Sequence, residues 1–177
     1  MMVALALVAA VLAAWCLHEL EDYPPVAIAG SSLGAREEAL VRAVADAFFP
    51  PGGAIPVSGN AAGVPEYLSA YLHRSAGAQR FMIRLLLAFL EFQPFLFGPR
   101  RARFTRLSQA DRILSLADAS TSGLYFRRVC FISMRALLTM AYLANAEVAR
   151  CMRLEDNPDP FGIGDRIFER DPREVLA

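Results

Sequence analysis

Apolar residues recur every three or four positions along most of this chain, the spacing that gathers them on one face of an α-helix. Leu40, Val41, Val44 and Phe48 define a helix over about 35–49, with Glu37 and Glu38 in its first turn and Pro50-Pro51 closing it. Gly52 to Gly63 is rich in Gly and Pro and lacks periodicity, so it reads as a loop. Tyr67, Leu68, Tyr71 and Leu72 mark a short helix from Val64 to His73. Phe81 to Phe97 is apolar apart from Arg84, Glu91 and Gln93; these groups and Pro94 make it a buried core helix rather than a membrane span. Ser108 and Asp111 give a capping-box-like start to a helix ending near Ala119. Leu124 to Ala144 is the longest of the helices expected after residue 34, and Ala146 to Arg153 is a last short one. No segment alternates long enough to support a sheet. The predicted fold is all-α, a helical-bundle-like domain.

The first seventeen residues, Met1 to Leu17, are a different kind of segment, without a charged or strongly polar side chain. As a helix they span roughly 25 Å, close to the hydrocarbon thickness of a bilayer. No Lys or Arg precedes the stretch, and bulky Trp15 beside Cys16 suits neither a signal-peptidase nor a lipoprotein cleavage site. The expectation is a retained single transmembrane helix over 1–21, with Leu5, Leu7, Val11, Leu12 and Trp15 facing lipid. A Pro-containing linker, 22–34, then separates it from a helical domain over 35–154. Residues 155–177 form an extended acidic tail with seven acids, three Arg and the apolar Phe161, Ile163, Ile167 and Phe168. Such a segment buries too little alone to offset its ordering entropy and reads as a docking arm.

Charge narrows the partners. The eighteen acids balance the eighteen basic residues, so no global positive field draws the chain to nucleic acid. The three cysteines, Cys16, Cys130 and Cys151, have no metal or redox spacing, and a Cys130–Cys151 bond stays open. His18 and His73 are the only histidines, and neither sits in a nucleophile motif. There is no haem-attachment, metalloprotease or phosphate-loop motif, and the glycines around Gly52 and Gly59 do not match a dinucleotide fingerprint. These readings predict no catalytic, cofactor or metal residue and favour an accessory role.

Two surface features stand above a bland reading. Thr121, Tyr125, Arg128, Ile132, Arg135, Thr139 and Tyr142 recur at three- and four-residue spacing, opposite Phe126, Cys130, Leu137 and Ala141. The stripe is either a solvated face or a protein interface, since Tyr and Arg are enriched at binding hot spots. A rival reading pairs one of Arg128 and Arg135 internally with Glu91 or Asp118. The second feature is Arg100, Arg101, Arg103 and Arg106 beside Phe104: a solvated loop, a site for an acidic partner, or one for lipid headgroups.

The run from Arg36 to Pro50, ending Ala45-Asp46-Ala47-Phe48-Phe49-Pro50, resembles the opening helix of the small subunit, subunit 3, of gluconate 2-dehydrogenase. Gly63 to Leu68, Phe104 to Ser108 and Tyr142 to Asn145 fit the same pattern, and the resemblance covers about 33–153. It implies a non-catalytic helical subunit that partners a flavoprotein dehydrogenase, which passes electrons to a multihaem cytochrome. The family often carries a twin-arginine export signal, whereas no Arg-Arg precedes the apolar segment here. That departure favours a fixed subunit in a bacterial inner membrane, and the resemblance implies a helical domain on the periplasmic side. The alternative is a structural subunit of a respiratory or photosynthetic core.

Overall fold

The structure, a computed structural model, describes residues 23–152. Among them are six α-helices and one 3-10 turn, with no strand. They are α1 (Ala35–Phe48), α2 (Val64–Arg74), α3 (Gly77–Phe97), the 3-10 turn (Phe104–Arg106), α4 (Gln109–Thr121), α5 (Tyr125–Leu143) and α6 (Ala146–Cys151). The expected transmembrane helix and the acidic tail, with Phe161, Ile163 and Phe168, lie outside the described residues. No helix among those described is long and apolar enough to cross a membrane.

Local chemistry sets the helix ends. Glu37 of α1 reaches back to accept from the Gly34 N–H at 2.9 Å, and Ser108 Oγ accepts from the Asp111 N–H at the start of α4. Asn145 caps α6 by accepting from the N–H groups of Glu147 and Val148. Gly63, at φ 78°, makes the left-handed turn into α2, and Pro65 follows inside its first turn.

The core is built around α1, whose Leu40, Val41, Val44 and Ala45 are buried against α2, α3 and α4. The helix α5 packs on α2, α3 and α4. The loop before α2 is part of this core, since Val57 is buried and its carbonyl accepts from Tyr142 Oη at 2.6 Å. Gly59 lies so close to α1 that a Cβ there would sit 2.5 Å from the Ala45 carbonyl oxygen and 2.8 Å from its carbon. Backbone cannot yield as a side-chain tip can. Gly59→Ala should therefore cost about 2 kcal/mol through overpacking, read as a lower denaturation midpoint with an unchanged slope.

The segment expected to be a linker is packed onto the domain. Glu38 accepts from the N–H groups of Ala27 and Ile28, Ser31 Oγ lies 3.0 Å from Ser69 Oγ, and Leu33 is buried. The long-range acceptors that hold it were not legible in the sequence. Cys130 is buried and Cys151 exposed, and both are free thiols.

Candidate interaction surface

The helix α3 is apolar around most of its circumference, while the domain covers one side only. Ile83, Leu87, Leu90 and Pro94 face inward. Phe81, Met82, Leu85 and Leu96 are exposed, which corrects the expectation of a buried core helix. A helix this apolar needs cover on more than one side, and this domain has too few helices to supply it. The exposed side continues onto α5 where Phe89 meets Phe126 edge-on, ring centroids 5.1 Å apart. Phe126, Val129 and Ile132 extend it along α5, with Phe126 61% exposed. An apolar surface spread over two adjoining helices marks an interaction site rather than scattered surface residues.

The predicted stripe on α5 does not hold together. Thr121 belongs to α4. From Tyr125 to Tyr142 the three-four alternation drifts by about 100° around a helix of 3.6 residues per turn. Tyr125 is accordingly 74% exposed, whereas Tyr142 is 4% exposed, stacked on Phe49 at 3.9 Å and bonded to Val57. Tyr142 is a core residue, and burial raises its hydroxyl pKa. The inward face of α5 is Arg127, Cys130, Met134, Leu138 and Ala141, so Phe126 points outward against expectation. Arg128 donates to the Ser122 carbonyl and lies over the Tyr125 ring, and Arg135 is exposed. The internal ion pair belongs to their neighbour: Arg127 meets Asp118 at 2.7 Å and donates to Gln93 Oε1 at 3.0 Å.

The four-arginine loop also divides. Arg100 pairs with Asp111 at 3.0 Å; Arg101, at φ 44°, and Arg106 are exposed. Arg103 is 2% exposed and stacks over the Tyr23 ring at 4.5 Å, so the loop is not one basic patch. Beside it, fully buried Glu91 accepts from Tyr23 Oη at 2.7 Å, Thr105 Oγ1 at 2.6 Å and the Thr105 N–H at 3.3 Å. This polar knot fastens residue 23 and the 3-10 turn to α3.

Burial, the hydrogen bond to Glu91 and its nearby charge raise the Tyr23 pKa to about 12, opposed by Arg103. A phenol whose folded pKa lies above its unfolded value of 10.0 stabilises the fold below pH 10, and that contribution is lost as pH rises through about 12. Ultraviolet titration should show one tyrosine ionising near pH 12 that is missing in Tyr23→Phe.

A cleft of about 270 Å³ lies between the end of α3 and α4, lined by Leu107, Leu114, Ser115 and two Arg–Asp pairs, Arg100–Asp111 and Arg127–Asp118. Its charges cancel in pairs, which gives it no net attraction for an ion. No group of three or more His, Cys, Asp or Glu able to hold a metal occurs among the described residues.

The described residues therefore form an all-α domain whose main surface feature is an uncovered apolar face on α3 and α5. No family model matches the sequence, and no curated protein or solved structure does. Sequence reasoning missed Phe81, Leu85, Phe126 and Val129 as surface residues. The signal available was the predominance of apolar residues in α3 in so small a domain.

Proposed function

We propose that this chain is a non-catalytic, membrane-anchored accessory subunit of a multi-subunit membrane redox complex, similar in role to the small subunit of a flavin-dependent dehydrogenase. The observation that carries the reading is the apolar face joined at Phe89 and Phe126, which is suited to a protein partner. The apolar stretch Met1 to Leu17 supports the anchor, and the segments from Arg36 to Asn145 support the family resemblance. In this reading the bacterial inner membrane holds residues 1–21, and the helical domain lies on the periplasmic side.

The test is mild detergent extraction of the tagged full-length chain from its own membranes, followed by identification of what co-purifies. A flavoprotein dehydrogenase with a cytochrome is expected. A respiratory or photosynthetic core recovered in its place would make the chain a structural subunit of that assembly, and a lone soluble chain would overturn both. Leu85→Arg, a change at an exposed position, should weaken the assembly about 30-fold, as loss of a hot spot does. Its far-ultraviolet circular dichroism should match the parent. Protease added to spheroplasts should digest the domain, and protection until lysis would reverse the orientation.

A further inference from the structure

The exposed face of α3 and α5 lacks acids. Within Tyr125–Leu143 there is no Asp or Glu, and the single acid of α3, Glu91, is fully buried. Arg128 and Arg135 edge the face on the side of α5 away from Phe126, and neither makes an ion pair among the described residues. An occupant must therefore bring apolar side chains together with negative charge. A second copy of the chain brings the same acid-free surface and leaves these cations unanswered.

The chain itself carries a segment with both properties. Residues 155–177 hold seven acids against three Arg, with Phe161, Ile163, Ile167 and Phe168 among them. They follow Met152, which is separated from the end of α5 only by Ala144, Asn145 and the six-residue α6. Nine extended residues, from 152 to 161, reach about 30 Å, and α5 with its 19 residues is about 28 Å long. Phe161 to Phe168 can thus reach along the length of α5. A tether this short also keeps the local concentration of the segment near millimolar.

We infer that residues 155–177 dock on the α3–α5 face of their own chain, with Phe161, Ile163 and Phe168 against Phe126 and Val129 and the acids toward Arg128 and Arg135. This self-docking goes beyond the accessory-subunit reading. It is tested without any partner, so the two readings fail separately.

The experiment uses the full chain in nanodiscs of neutral phosphatidylcholine, with Cys151→Ser removing the exposed native thiol. Val129→Cys with Ile163→Cys should form an intramolecular disulfide about tenfold faster than the reference pair His73→Cys with Ile163→Cys. His73 is exposed at the far end of α2. Adding Arg128→Glu and Arg135→Glu should abolish the advantage. In the chain free of new cysteines, the same two charge reversals should speed tryptic cleavage at Arg166 and Arg170 about tenfold, as docked segments resist proteases. Equal disulfide rates at the two positions, or cleavage indifferent to the reversals, would overturn the proposal. A disulfide only between two chains would assign the face to a second copy. Loss of the bond on moving to anionic nanodiscs would assign it to the bilayer.

Discussion

Replacing Glu91 with Ala should lower the stability of the folded chain by about 3–5 kcal/mol, the range for stripping a partner from a buried charged network. The carboxylate is fully buried and answers Tyr23 Oη, Thr105 Oγ1 and the Thr105 N–H, so its removal strands three donors at once. Arg103, stacked on Tyr23 and 2% exposed, loses the nearby negative charge as well. Glu91→Gln should cost less, about 1–2 kcal/mol. Its amide oxygen can take the place of Oε1, which receives both hydroxyls, whereas its NH₂ would oppose the Thr105 N–H. Urea unfolding of the two variants checks the order. Equal losses would show that the net charge matters more than the individual acceptors.

Arg127→Ala should destabilise by about 2–3 kcal/mol, from the lost donor to Gln93 and the volume vacated against Phe97. The loss stays below that for Glu91 because the other partner, Asp118, is 62% exposed in its side chain and is left in water. Arg128→Ala and Arg135→Ala should each change stability by no more than about 0.5 kcal/mol, as surface substitutions do. Melting temperatures of the three variants, measured side by side, separate the one structural arginine of α5 from the two that border its exposed face. A loss for Arg135→Ala matching that for Arg127→Ala would refute the assignment.

Periodicity located the helices well because each depends on near neighbours. The Ser108–Asp111 start of α4, the end of α1 before Pro50-Pro51 and the loop through Gly52–Gly63 all follow from local hydrogen bonding and fixed proline geometry. Which face turned inward was less legible. Over two or three turns a three-four spacing marks one side of a helix, but over the five turns of α5 it wandered from exposed Tyr125 to buried Tyr142. The internal ion pair was read onto Arg128 or Arg135, whereas it belongs to Arg127. One residue shifts a side chain by about 100° around a helix, enough to exchange solvent for core.

The sequence by itself determined the all-α character of residues 23–152, the order of the helices and most of their ends, because capping, proline and apolar spacing act within a few residues. Only the tertiary structure decided that Arg103 turns inward, that Glu91 fastens Tyr23 and the 3-10 turn to α3, and that Phe81, Leu85 and Phe126 remain uncovered. Those outcomes depend on how many neighbours each helix finds. An apolar residue reads the same in one dimension whether a neighbour covers it within the chain or it waits on the surface for another molecule.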